Sequence, residues 1–437
     1  MHRTGYLRHV RHQPCVVGDT RLGRAPPVSP GTVAKMGTTN LETLGVWALF
    51  LEFGVLLVGL GLLTRLATRL QLSPVPFYLL AGLAFGTGGV IPVDQHSELV
   101  PVVAKMGSII LLLLLGLEYS GPVLIRTLRR HTRSGVVDLA VNSLPGAVAG
   151  FLLGWGWVGA LALAGVTYVS SSGITSQLIR DMRWQGNPES TSVVGMLVVE
   201  DLVMAPYLPV LAATVAGVGM VTGLVSVGAA LVVLVAALWL SVRSHEGTHR
   251  WFERREDTSG LILIVFGAAL AAAAAAAFAS FSPEVAAFLV GLLLTGEVAE
   301  QVRRRLDPLR EVLAAVFFAY FGLSTDPGSL TNVLLPALLL ALVGLAGKLV
   351  TGWYVGGVDG LGTIARLRAG ALLGARGEFS VVIASIVVTS NALPSDLPAL
   401  IAAYLIITAV AAPVLTRFAE PAGRWLEQHP RSRRSDT

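Results

Sequence analysis

The sequence predicts an all-α polytopic membrane protein, with about thirteen transmembrane helices in two inverted repeats with paired broken helices. Three observations carry that reading: apolar stretches of spanning length, basic residues confined to alternate loops, and motif pairs repeated at a near-constant offset. The composition agrees. Of 437 residues, 54% are hydrophobic and 14% charged, against about 25% charged in an ordinary soluble chain; the mean hydropathy is +0.70. This excludes a water-soluble globule with a normal surface and a chain disordered throughout. The single cysteine, Cys15, excludes an internal disulfide scaffold and a Cys-rich metal site. The formal charge of +5 is therefore read loop by loop for topology. The expected surroundings are a lipid bilayer, and nucleic acid is not an expected partner.

A helix needs about 20 apolar residues to cross the hydrocarbon core. Nearly charge-free stretches near that length run 43–64, 75–90, 99–117, 135–154, 157–179, 190–215, 219–242, 259–281, 283–296, 312–325, 330–355, 369–389 and 397–416, numbered here as spans 1 to 13. Arginines follow the odd spans: Arg65 and Arg69, then Arg126, Arg129, Arg130 and Arg133, then Arg180 and Arg183, and so on to Arg366 and Arg368. The tail adds Arg417, Arg424, Arg431, Arg433 and Arg434, whereas the loops after even spans hold no Lys or Arg. One span missed or invented would destroy that alternation. The positive-inside rule puts the odd loops and the C-terminus in the cytoplasm. Residues 1–40 carry six Lys/Arg on the wrong side of this scheme. They read as a disordered extension, or as an over-called start with Met36 the initiator. Residues 41–418 form the transmembrane domain: repeat 1 over about 43–215, a linker helix at 219–242, and repeat 2 over about 259–416. Residues 419–437 form a basic cytoplasmic tail.

The repeat shows in paired motifs. Ser73-Pro74 opens span 2 and Ser282-Pro283 opens span 9, with Gly82-Leu83 and Gly291-Leu292 inside them, all offset by 209. Gly116-Leu117 ends span 3 and Gly322-Leu323 ends span 10, offset by 206. Spans 1–6 thus match spans 8–13. A step of seven spans is odd, so the halves are inverted, as in many secondary transporters with sites at the midplane.

Charges inside spans are costly, by a few kcal/mol each even on lenient scales, and mark candidate functional residues. Glu200-Asp201 lies in the middle of span 6, five residues before Pro206. Adjacent helical residues point about 100° apart, so the two carboxylates face different neighbours. Pro206 donates no backbone N–H and leaves a carbonyl free near the acids. Lys348 lies deep in span 11 and requires a carboxylate partner or the loss of its charge. Ser170-Ser171-Ser172-Gly173 interrupts span 5, and Ala375-Arg376-Gly377-Glu378 interrupts span 12; Ser170 and Arg376 are 206 apart. Paired breaks of this kind offer carbonyls, hydroxyls and opposed dipole ends to an ion. Glu52, Lys105, Asp138 and Glu284 read as interfacial or packing charges. No metalloprotease, phosphate-loop, serine-hydrolase or dinucleotide motif appears in a suitable context. No enzyme activity and no cofactor are expected.

These residues resemble the Kef-type branch of the monovalent cation:proton antiporter superfamily. The matching pieces are Leu113–Glu118, Ser170–Gly173, Glu200-Asp201 with Pro206, Ala287–Gly291, Phe318–Leu323, Lys348 and Ala375–Phe379, in an order that covers the chain from Leu41 to Phe418. The resemblance implies a thirteen-helix homodimer in the bacterial plasma membrane, with two crossed broken helices beside a carboxylate. It implies that Asp201 carries cation and proton in turn, and that Lys348 pairs with the neighbouring acid. The expected function is a secondary active K+ or Na+/proton antiporter working by alternating access. A cation channel and a sodium-coupled organic-solute symporter are the alternatives on a similar scaffold. Asp201, Glu200, Ser170, Ser171 and Ser172 are the expected ion- and proton-binding residues; Lys348, Arg376 and Glu378 compensate charge. The only expected metal is the transported cation at Asp201. Glu200 stands where Kef proteins more often have an amide, and acidic pairs of this kind resemble the electrogenic members of the superfamily. If Glu200 stays ionised against Lys348 throughout, exchange is one proton for one cation; if Lys348 gives up its proton, two protons move. No Kef-type nucleotide-binding domain follows span 13, so gating by glutathione or nucleotide within this chain is not expected. A separate cytoplasmic regulatory subunit is compatible with this reading.

Overall fold

The computed structural model describes residues 30–70, 72–86, 89, 99–117, 121–215, 228, 232, 258–278, 283–294, 296–388 and 396–428. Met1–Leu51 and Glu52–Thr437 form separate units; the packing below is that of the second. Every described element is a helix: α1 (Pro30–Leu70), α2 (Val75–Phe85), α3 (Leu99–Leu117), α4 (Gly121–Leu152), α5 (Gly156–Tyr168), α6 (Ser172–Asp181), α7 (Pro188–Val215), α8 (Thr258–Phe278), α9 (Pro283–Leu293), α10 (Gly296–Leu323), α11 (Pro327–Val358), α12 (Thr363–Leu372), α13 (Glu378–Val388) and α14 (Asp396–Gln428). The pairs α5/α6 and α12/α13 are the halves of broken spans 5 and 12. Counted so, the described residues hold twelve of the thirteen predicted spans, and span 7 lies outside them except for residues 228 and 232. Eight are long and apolar enough to cross a membrane by length and composition.

The helix ends depart from the apolar boundaries in an informative way. α1 begins at Pro30, a residue suited to the first helical position, and so starts ahead of the apolar edge of span 1. Residues 1–29 lie outside the described residues. Several of the predicted basic loops fall on helix, Arg65 and Arg69 on α1 and Arg366 and Arg368 on α12 among them. Arg126, Arg129, Arg130 and Arg133 lie on α4, and Arg303, Arg304, Arg305 and Arg310 on α10. A helix need not stop where its surface turns polar. The first half of α10 is amphipathic, burying Ala299, Val302 and Leu306, while Glu300 pairs with Arg304 at 2.7 Å across one turn.

The repeat is visible in the packing. α2 and α9 have 11 residues each, and α4 and α11 have 32 each. α2 lies on α10 while α3 lies on α9, so the two halves exchange partners. Glycines permit both approaches. A Cβ on Gly82 would fall 2.2 Å from the Ala319 carbonyl oxygen and 2.8 Å from Gly322 Cα; one on Gly116 would fall 2.2 Å from the Phe288 carbonyl oxygen and 3.0 Å from Gly291 Cα. Each contact is the repeat image of the other. The broken helices also meet, with the Ser171 N–H donating to the Ala375 carbonyl at 2.9 Å.

Candidate functional site

The site is built at that crossing. After Tyr168 the backbone of Val169 turns extended, and Ser171 caps α6 by accepting from the Ile174 N–H at 3.2 Å. The C-terminal ends of α5 and α12 bring partial negative charge, and the N-terminal ends of α6 and α13 bring partial positive charge. Arg376 answers the first pair. It is wholly buried and donates through Nη1 to the carbonyls of Leu373 at 3.0 Å and Gly374 at 3.3 Å, and through Nη2 to that of Thr167 at 2.8 Å. Glu378 answers the second. It accepts from Ser171 Oγ at 2.7 Å, Ser172 Oγ at 2.8 Å and the Gly173 N–H at 3.4 Å. Arg376 and Glu378 therefore each meet helix ends of opposite sign.

Lys348 reaches the crossing from α11. Its Nζ donates to Glu200 Oε1 at 2.9 Å, the pairing that the sequence suggested. Glu200 is tied to the break as well: Ser170 N–H donates to its Oε2 at 2.5 Å, and Ser170 Oγ lies 3.2 Å from its Oε1. The same hydroxyl lies 2.9 Å from the Leu373 carbonyl of the other broken helix. The lysine also sits over the Tyr168 ring, 5.4 Å from its centroid, a cation–π arrangement.

The lysine has a second carboxylate partner, and it corrects the sequence reading. Asp138 is no interfacial charge: it is wholly buried and binds Lys348 Nζ through both oxygens, at 2.9 and 3.1 Å. The misreading has a physical cause. The apolar edge of span 4 near 135 puts Asp138 at a span end, but α4 runs from Gly121 and carries Asp138 well inside. Its Oδ1 also accepts from Asn142 Nδ2 and Thr351 Oγ1, both at 2.8 Å. Asp138, Asn142, Tyr168 and Thr351 are the site residues that sequence reasoning missed. One signal existed. Asp138 and Lys348 are 210 apart and Asn142 and Thr351 are 209 apart, close to the repeat offset.

Asp201 faces elsewhere, as the 100° step requires. It is 2% exposed and lines a cavity of about 10 Å³ with Leu112 of α3, Ala205 and Leu208 of α7, Val285 and Phe288 of α9, and Phe379 of α13. That volume is about one water or one bare monovalent ion. The cavity lies where the crossing meets the α3/α9 wall. The structure thus gathers Ser170, Ser171, Ser172, Glu200, Lys348, Arg376 and Glu378 around the break, with Asp201 on its flank.

Two helical repeats that cross at broken helices, with buried carboxylates at the crossing, define a secondary transporter. The chain belongs to the family described as sodium/hydrogen exchanger, transmembrane, which matches residues 53–419, within the monovalent cation:proton antiporter superfamily. It is 28% identical over 390 residues to the K(+)/H(+) antiporter subunit KhtU of Bacillus subtilis, covering 84% of this chain and 93% of that one. It is 30% identical over 338 residues to the ammonium/H(+) antiporter subunit AmhT of Alkalihalophilus pseudofirmus, covering 76% and 85%. Its fold is that of the sodium proton antiporter MjNhaP1 of Methanocaldococcus jannaschii, with a TM-score of 0.65 at 17% identity over 87% of this chain and 98% of the other.

Proposed function

We propose that this protein is a secondary active antiporter that exchanges K+ or Na+ for protons at Asp201 by alternating access. The observation that carries the reading is the division of labour between adjacent acids. Glu200 is held by Lys348 and Ser170, while Asp201 opens on a cavity of ionic size. A bare carboxylate in this setting costs several kcal/mol. Asp201 crosses between the two access states cheaply only when a proton or a cation neutralises it. The two ligands compete for one carboxylate, so each leaves when the other arrives from the opposite side. Arg376 and Glu378 hold the broken helix ends in a fixed electrostatic frame while the load changes, and Ser170, Ser171 and Ser172 supply oxygens beside the carboxylates. The size of the cavity favours an ion over an organic solute. The named substrates of KhtU and AmhT make K+ and NH4+ the first cations to test beside Na+.

The same reading assigns residues 43–215 and 259–416 to the two repeats and 219–242 to the linker between them. It places the C-terminus in the cytoplasm of a bacterial plasma membrane, in a homodimer. Both relatives are named as subunits, which favours a separate cytoplasmic regulatory partner here. The test is fluorescence dequenching in everted vesicles with Na+, K+, Li+ and NH4+ added in turn. Cation-dependent proton release from vesicles bearing this protein, absent with Asp201→Asn, is the expected result. Equal dequenching by the Asp201→Asn vesicles would remove Asp201 from the mechanism.

A further inference from the structure

The two carboxylates beside Lys348 are held in different ways. Asp138 sits on α4, unbroken from Gly121 to Leu152. Both its oxygens contact the ammonium, and Asn142 of α4 and Thr351 of α11 brace Oδ1 from either side. The two helices close together here: a Cβ on Gly347 would lie 2.6 Å from Asn142 Oδ1. All four side chains are wholly buried. Glu200 reaches the lysine through one oxygen only. Its other oxygen takes the Ser170 N–H, which lies just beyond the end of α5. Asp138 is therefore tied to two continuous helices, and Glu200 to the break.

We propose that Asp138 is the permanent counter-ion of Lys348, a positioning residue that sets the coupling ratio by leaving Glu200 as a second exchangeable carboxylate beside Asp201. This rests on Asp201 being the carrier. The charges balance as follows. In the proton-loaded state Glu200 and Asp201 each hold a proton, and Lys348 with Asp138 is a neutral pair. On the opposite side both protons leave, one cation binds at Asp201, and Glu200 remains ionised. Two protons move one way and one cation the other, so each cycle carries one net positive charge, and the lysine proton never leaves. Without Asp138, Glu200 becomes the only carboxylate on the lysine and stays ionised. Asp201 alone then exchanges, one proton for one cation.

The test uses purified full-length protein in proteoliposomes, with the membrane potential held at zero by symmetric thiocyanate, a permeant anion. The cation gradient that stops net proton flux is measured against an imposed difference of about one pH unit. Two protons per cation place that null point at about a 100-fold gradient and one proton at about tenfold. The wild type and Asp138→Glu should balance near 100-fold; Asp138→Asn and Glu200→Gln should balance near tenfold. A wild type balancing near tenfold overturns the proposal, as does Asp138→Asn balancing near 100-fold. Should Asp138→Asn fail to fold, Glu200→Gln decides. Transport near tenfold supports the proposal, and a folded but inactive or 100-fold Glu200→Gln overturns it. Failure of the carrier reading itself shows separately, as exchange persisting in Asp201→Asn.

Discussion

At the residue scale, the energetics turn on which charge is left alone. Lys348 lies between Asp138 and Glu200, all three wholly buried. Removing one partner of a buried pair costs roughly 3–5 kcal/mol because the other is left uncompensated. Lys348→Ala leaves two carboxylates facing each other and is expected to fall at the top of that range. Glu200→Ala leaves the lysine with Asp138 and is expected to cost about 1–3 kcal/mol, the value of an abandoned charge-assisted hydrogen bond. The double mutant Lys348→Ala/Glu200→Ala should lose less than the sum of the two. Thermal unfolding of the detergent-solubilised variants measures all three; strict additivity would show that the two side chains are energetically independent. Lys348 was legible in the sequence because its apolar surroundings leave it no route to snorkel. Asp138 was not, because the eye finds a span by its apolar edge while a helix ends by its own capping and hydrogen bonds. The polar first turns of α4 hid how deep Asp138 lies.

At the element scale, the broken helices and the glycine contacts carry the fold. Arg376 reaches three carbonyls on two helices with a planar fork. A lysine offers a point charge and cannot span them. Arg376→Lys should lower transport at least about tenfold with the protein still folded, read as initial rate at matched protein density. The α2/α10 and α3/α9 contacts predict a second result. Gly116→Ala drives a methyl against the backbone of Phe288, which cannot turn aside as a side chain can. Overpacking of this kind costs about 1–3 kcal/mol, and Gly322→Ala, its repeat image, whose methyl would fall 2.4 Å from the Leu79 carbonyl oxygen, should cost as much. Gly267→Ala on α8 meets nothing within 4 Å and should hold or raise the melting temperature. The recurrence of these glycines was legible in the sequence. That Gly82 meets Gly322 and Gly116 meets Gly291 was not, since the exchange of partners between halves is a property of the tertiary packing.

At the scale of the whole molecule, the proposed topology rests on the alternation of arginines and the odd step between repeats. A single cysteine replacing Ser432 in a Cys15→Ser background should react with an impermeant maleimide in everted vesicles and not in right-side-out cells. Labelling from the cell exterior would invert the assignment. The central claim is that a proton and a cation compete for Asp201. It is tested most directly by measuring cation affinity of the purified protein by calorimetry across a pH series, for the wild type and Asp201→Asn. The account predicts that the wild-type dissociation constant rises as the pH falls, with proton release on binding at acidic pH, and that Asp201→Asn neither binds the cation nor releases a proton. Wild-type binding indifferent to pH, or undiminished binding by Asp201→Asn, would contradict it.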